Sequence, residues 1–242
     1  MTGRAGPVVG AGPPIDFRGA VLTGGASRRM GTDKALLEIG GRALASIAAH
    51  ALLDAGARRV DCIGGDLAAL RGLGLQVRPD RHPGEGPLGA LADALRPPPD
   101  EAAAWVGEAV MVLTCDLPLI DAATIAPIVA ALAADPEADV AAPDLGARPQ
   151  FLSAAYRPDR ALPAIEAAFD GGERAVRRGL HGLRVVTVAG LDARRLQDAD
   201  TPSALAALTG AARPSGADRP GTAVAQVDRL RWRRPPAGDR GG

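Results

Sequence analysis

Aromatic residues are nearly missing from this chain: three Phe, two Trp and one Tyr among 242 residues. A core built from it must rest on Leu, Val, Ile and Ala. Cysteine is as scarce. Cys62 and Cys115 stand far apart, each inside an apolar run. That is the setting of small buried hydrophobes, not of a disulfide framework or a thiolate metal site. Net charge is absent, since 28 Lys and Arg balance 28 Asp and Glu. Whole-chain charge therefore gives no argument for nucleic acid or an anionic membrane as partner. No run approaches the roughly 20 apolar residues of a membrane helix. The N-terminus carries Arg4 but lacks the continuous apolar segment of a signal peptide. A soluble cytoplasmic protein is the expectation. His50, His82 and His181 lack ligand spacing to one another and read as structural or exposed.

What is present is an alternation of short apolar runs and helical patterns. Strands are expected at Ala20–Thr23, Arg59–Ile63, Leu75–Arg78, Ala109–Thr114 and Ala138–Ala142, each bounded by Gly, Pro or Asp. Between them, Ala43–Leu53, Leu88–Leu95 and Ala122–Ala133 repeat apolar residues at helical spacing. The second half adds a strand at Gln150–Tyr156, a helix at Asp159–Phe169, a strand at Arg184–Val188 and a closing helix at Pro202–Leu208. This order predicts an α/β, doubly wound, mainly parallel sheet in three α/β/α layers, with ligands at the carboxyl ends of the strands. Residues 1–16, rich in Gly and Pro, read as a flexible leader, 17–210 as a single domain, and 211–242 as a disordered basic tail. The Arg229–Arg234 cluster within that tail reads as solvated.

The most informative stretch follows the first strand: Leu22-Thr-Gly-Gly-Ala-Ser-Arg-Arg-Met-Gly-Thr-Asp-Lys34. Glycines let backbone N–H groups approach an anion, and two arginines and a lysine neutralise it, as a nucleoside triphosphate requires. The spacing is neither that of a P-loop nor that of a dinucleotide fingerprint. A second candidate is Asp116, which ends the apolar run Val110–Cys115 and precedes Leu117-Pro118. An acid there is costly unless paired or metal-bound. Capping the helix that begins after Pro118 is the other job open to it. The third is Asp80-Arg-His-Pro-Gly-Glu-Gly-Pro-Leu-Gly-Ala90, an acid at a strand end followed by a Pro/Gly turn.

The Leu22–Lys34 string resembles the signature L-x-G-G-x-S-x-R-M-G-x-D-K of the MobA-like nucleotidyltransferases. Cys115-Asp116-Leu117-Pro118 resembles the family's C-D-x-P, and Asp80–Ala90 its D-x(5)-G-P-L-x-[GA] segment. Arg148-Pro149-Gln150-Phe151, Gly171–Ala175 and Asp198–Pro202 resemble weaker segments of the half that faces the pterin substrate. Asp198 and Asp200 stand where Asn is often found, and read as a second metal contact or a helix cap.

The resemblance implies a Rossmann-like nucleotidyltransferase fold. It further implies a molybdenum cofactor guanylyltransferase that joins GMP from GTP to molybdenum-bound molybdopterin and releases pyrophosphate. It gives GTP-binding positions Leu22, Thr23, Gly24, Gly25, Lys34, Asp80 and Asp116. Lys34, Arg29 and Asp116 would be catalytic, and Asp116 would hold Mg2+ as the cofactor. Arg28 falls at a variable position. GTP and molybdopterin are the implied partners, with molybdoenzymes or cofactor-delivery proteins beyond them. A cytidylyltransferase or a sugar-phosphate nucleotidyltransferase shares the scaffold, and a nucleotide-binding adaptor without catalysis is a further reading. The family's Asn near the end of the second strand has no counterpart in Cys62-Ile63-Gly64-Gly65-Asp66, where backbone groups of Gly64 and Gly65 are expected to stand in.

Overall fold

The computed structural model describes residues 15–24, 33–99, 108–146, 148–199 and 226–231, the last of these by backbone alone. The strands in chain order are β1 (Phe17–Leu22), β2 (Glu38–Ile39), β3 (Arg42–Ala43), β4 (Val60–Ile63), β5 (Gln76–Arg78), β6 (Ala109–Thr114), β7 (Val140–Pro143), β8 (Ala155–Tyr156), β9 (Arg184–Ala189) and β10 (Gln226–Arg231). The helices are α1 (Leu44–Asp54), α2 (Leu67–Gly72), α3 (Pro87–Leu95), α4 (Ala122–Ala134), α5 (Pro158–Asp170) and α6 (Val176–Gly179). Eight strands form one sheet in the order β10-β9-β7-β8-β6-β1-β4-β5, and β2 and β3 make a separate small hairpin.

β1 is the pivot. It pairs in parallel with β4 on one side and with β6 on the other. β5 continues in parallel beyond β4, and β9 runs parallel to β7. β8 is wedged antiparallel between β6 and β7. The chain thus builds outward from β1 to β5, then returns to β1's other flank with β6. That reversal makes the β1/β6 junction the topological switch point, where such sheets open a crevice at their carboxyl ends.

All six residues of β1 are buried, as a strand covered on both faces requires. Its side chains alternate between two cores. Phe17 and Val21 join Met111, Leu113, Ala48, Leu52, Ile128 and Leu132 beneath α1 and α4. Ala20 and Leu22 join Val110, Val112, Leu91, Leu95, Ile165 and Leu180 beneath α3, α5 and α6. Full burial of each of these large aliphatic side chains stabilises by about 1.5–3 kcal/mol. Gly19 lets α1 come close: a Cβ there would lie 2.8 Å from Leu52 Cδ1 and 2.9 Å from Val60 Cγ2.

Two expectations need correction. Gln150–Tyr156 is not one strand. Phe151–Ser153 forms a 3-10 turn and only Ala155–Tyr156 pairs. Ser153 N–H donates to the Gln150 carbonyl, and the buried Tyr156 hydroxyl donates to the Phe151 carbonyl, so the segment folds back on itself. The 211–242 segment, read as disordered, contributes Gln226–Arg231 as an edge strand antiparallel to β9. Backbone pairing with an otherwise open sheet edge supplies there what composition did not announce. The expected helix at Pro202–Leu208 and most of the expected leader lie outside the described residues. Among the described residues, no helix is long and apolar enough to cross a membrane.

Candidate active site

Four strand ends meet at one rim of the sheet. Cys115 N–H donates to the Leu22 carbonyl (3.2 Å), which splices the ends of β1 and β6. One residue on, Thr23 and Gly24 both donate their N–H to the Ile63 carbonyl, at 3.0 and 2.9 Å. The Thr23 hydroxyl lies within hydrogen-bonding distance of the Ile63 and Gly64 carbonyls. The loops after β1, β4 and β6 are therefore held by backbone bonds in low-dielectric surroundings, where such bonds are strong.

Lys34 opens the 3-10 turn Lys34–Leu36, and its Nζ lies 3.6 Å from Asp116 Oδ2. Both side chains are mostly buried yet still reach solvent, at 15% and 20% exposure. Asp116 does not cap the following helix. Asp121 does, accepting the Thr124 N–H at 2.9 Å. With the capping job taken, Asp116 stands at the end of β6 with its carboxylate toward Lys34. Its backbone carbonyl accepts the Ala199 N–H (2.9 Å), which brings segment 198–199 beside it.

Asp80 lies beyond β5 on the same rim. Its Oδ1 accepts the His82 N–H at 2.8 Å, and its Oδ2 would be 3.4 Å from a Cβ on Gly24. Gly64 fills the space between: at φ +77, a Cβ on it would lie 3.0 Å from Gly24 Cα and 3.2 Å from Asp80 Cβ. Only glycine accepts both that backbone conformation and that approach. Of the backbone groups of Gly64 and Gly65 expected to stand in for the missing Asn, the Gly64 donor is already used. Its N–H donates to the Arg78 carbonyl (2.9 Å), so it is not available to a ligand.

The Asp80–Ala90 and Gly171–Ala175 segments also meet. The guanidinium of Arg174 lies 4.0 Å above the Phe169 ring, donates to the Phe169 carbonyl at 2.8 Å and reaches Glu85 at 2.9 Å. His82 packs on Phe169 with ring centroids 4.6 Å apart. Glu173 accepts from Arg178, which holds its carboxyl down at about 2.

Cys115 adjoins the charged pair. Burial, then the Asp116 and Asp33 carboxylates, push its thiol up to about 12, against an opposing pull from Lys34. A thiol so held is protonated near neutral pH and offers no nucleophile.

The structure thus brings together Leu22, Thr23, Gly24, Lys34, Asp80 and Asp116. Gly25 and Arg29, expected in the same site, lie outside the described residues, as do Arg28, Asp200 and Pro202. Sequence reasoning passed over two acids. Asp33 accepts the Ala35 N–H and, across the rim, the Asp66 N–H, both at 3.0 Å. Asp93, 2% exposed on α3, accepts the Arg81 N–H at 2.7 Å and steadies the turn after Asp80. An acid amid the apolar residues of α3 was the available signal for the second.

Comparison with known proteins agrees with this architecture. Residues 19–185 match the MobA-like NTP transferase domain. A probable molybdenum cofactor guanylyltransferase of Deinococcus radiodurans is 33% identical over 196 residues, covering 81% of this chain and 95% of the relative. One of Opitutus terrae is 35% identical over 160 residues, covering 66% and 75%. Among solved structures, molybdopterin-guanine dinucleotide biosynthesis protein A of Archaeoglobus fulgidus superposes with a TM-score of 0.62 at 20% identity, over 81% of this chain and 98% of that one. The 2-C-methyl-D-erythritol 4-phosphate cytidylyltransferase of Thermus thermophilus superposes with a TM-score of 0.61 at 17% identity, over 83% and 100%, a likeness of fold alone. By its matched domain, its relatives and its strand-end site, this chain belongs to the MobA-like NTP transferase family and is a nucleotidyltransferase.

Proposed function

We propose that the chain transfers GMP from GTP to molybdenum-bound molybdopterin, forming the guanine dinucleotide cofactor and releasing pyrophosphate. The observation that carries this reading is the 3.6 Å approach of Lys34 to Asp116 at the β1/β6 switch point. A cation and a carboxylate poised together at a glycine-lined rim suit a polyphosphate and its counter-ion. The relatives' names supply the base and the acceptor.

Each residue then has a role. Lys34 neutralises charge gathering on the α-phosphate and the departing pyrophosphate, and Arg29 joins it. Leu22–Gly25 stands beside the nucleotide by contact and not by donation, since the Thr23 and Gly24 N–H groups are already given to the Ile63 carbonyl. Asp80 stands on the base side as an acceptor for guanine's N–H donors. Among the described residues, no three His, Cys, Asp or Glu side chains come together to cage a metal. A lone carboxylate fits Mg2+, which takes few protein ligands and completes its shell with phosphate and water oxygens. Asp116 would hold that ion, which would neutralise phosphate charge. The pterin's terminal phosphate attacks the α-phosphorus in line. A new P–O bond forms as the bond to the β-phosphate breaks, and pyrophosphate leaves with the electron pair. The attacking phosphate is already ionised near neutral pH, so no strong general base is needed.

The test is incubation of the purified protein with Mg2+, molybdopterin and labelled GTP or CTP, followed by identification of the dinucleotide. Far faster product formation with GTP is expected. Comparable rates with CTP would overturn the base assignment, and no dinucleotide from either would overturn the reaction.

A further inference from the structure

Asp33 immediately precedes Lys34, and both of its carboxylate oxygens are engaged by backbone N–H groups. Oδ1 accepts from Ala35 and caps the turn that Lys34 begins. Oδ2 accepts from Asp66, in the loop after β4, 33 residues along the chain. Gly65 closes on the same oxygen. At φ +76, a Cβ there would lie 3.1 Å from Asp33 Oδ2 and 2.9 Å from the Thr23 carbonyl oxygen. The Asp66 carboxylate is itself turned away, accepting the Ala68 and Ala69 N–H groups at the start of α2.

We propose that Asp33 is a positioning residue: by bridging its own turn to the β4 loop, it sets where Lys34 stands relative to Asp116. The inference rests on the polyphosphate role given to Lys34 above. The physical reason lies in the count of acceptors. A carboxylate offers an acceptor to each N–H, and a charged acceptor makes the stronger bond. An amide has one acceptor oxygen, so Asn at this position satisfies the Ala35 or the Asp66 N–H and presents its own NH2 to the other. Asn is also a good helix cap, so a purely local capping role predicts that Asn replaces Asp without loss. A bridging role predicts that it does not.

The experiment is a double-mutant cycle on dinucleotide formation, with amide hydrogen exchange measured on the nucleotide-free protein. Asp33→Asn is expected to lower kcat by about 10- to 100-fold, the effect of a reacting group misplaced by about 1 Å. KM for GTP should stay within about threefold, since ground-state binding is shared among many groups. In a Lys34→Ala background the same substitution should cost nothing further, because its effect passes through Lys34. Asp66→Ala, which removes the α2 cap but keeps the Asp66 N–H, should lower Tm by a few degrees and leave kcat unchanged. In Asp33→Asn the Asp66 amide should exchange faster, while the Ala68 and Ala69 amides keep their protection. An Asp33→Asn enzyme with wild-type kcat, an equal loss in both backgrounds, or an Asp66 amide as protected as before would each overturn the proposal. A wild-type protein that makes no dinucleotide overturns the functional reading instead, and the bridge is then judged on the Asp66 amide alone.

Discussion

Replacing Gly64 by Ala tests whether the rim of the site is held by close backbone contact. Gly64 has φ +77, and its missing Cβ would lie 3.0 Å from Gly24 Cα, 3.2 Å from Gly24 N and 3.2 Å from Asp80 Cβ. Holding an L-residue in that left-handed conformation costs about 1–2 kcal/mol. The crowding adds about 1–3 kcal/mol, because its neighbours are backbone or sit next to backbone and cannot rotate aside. Loss of unfolded-state freedom on Gly→Ala returns about 0.4–1 kcal/mol. A net destabilisation of about 1–5 kcal/mol follows, a large share of the about 5–15 kcal/mol that holds a domain folded. Gly41→Ala separates the two causes. Gly41 has φ +76 but nothing within 4 Å of its missing Cβ, so it carries the conformational cost alone. Urea unfolding of both variants measures the difference, which belongs to the contact. The same displacement parts Gly24 from Asp80, and kcat/KM for dinucleotide formation should fall by about 100-fold in Gly64→Ala. A Gly64→Ala protein no less stable than Gly41→Ala, and fully active, would refute the reasoning.

Other perturbations bear on the site and its frame. Asp116→Asn should lose about 100- to 1,000-fold in turnover, the scale of removing one electrostatic stabiliser. Its unfolding free energy should shift by no more than about 1 kcal/mol, the value of a partly exposed ion pair. Full turnover, or a protein that no longer folds, would contradict the assignment. Burial pushes both the Cys62 and Cys115 thiols up to about 12 from an ordinary value of 9.0. Between those limits the unfolded chain has released protons that the native one retains, so stability falls as pH rises, by up to about 1.4 kcal/mol per pH unit for each thiol. Unfolding measured from pH 8 to 11 should show this slope, and a Cys62→Ala variant should lose its share; a flat profile would count against the burial. A chain ending at residue 210 leaves the outer edge of β9 unpaired, and light scattering should then report association that the full chain does not show. Equal scattering from both would mean that β10 protects nothing.

The parts of this fold legible in sequence were those whose causes are local. β6 and the Gly19–Leu22 end of β1 are covered on both faces, so they read as apolar runs, and α4 declares itself by its spacing; the buried Arg18 hid the start of β1. The glycine-rich loop and the acid at the end of β6 were visible as a motif before any geometry was known. What stayed hidden depends on partners far along the chain. α2 has six residues, too few for a clear period, and only its cap at Asp66 marks it. Asp33 was visible as a position of the Leu22–Lys34 motif but without a task, because its second partner lies 33 residues away. Gly64 read as a possible contact for a base, whereas its N–H is bonded to β5's last carbonyl. β10 sits among Pro, Gly and Arg, and only the vacant edge of β9 makes a strand of it.

The place of β1 in the sheet also governs how the molecule can assemble. Its first pairing partner, β4, arrives once α1 has been made, but its second, β6, waits for α2, β5 and α3 as well. A strand emerging early from the ribosome is thus left with one flank bare until a distant segment returns to it. Such long-range closure slows folding and leaves the nascent chain dependent on protection from aggregation. Because Lys34 meets Asp116 only when β6 docks, a truncated product of interrupted synthesis that ends before β6 lacks this ion pair altogether.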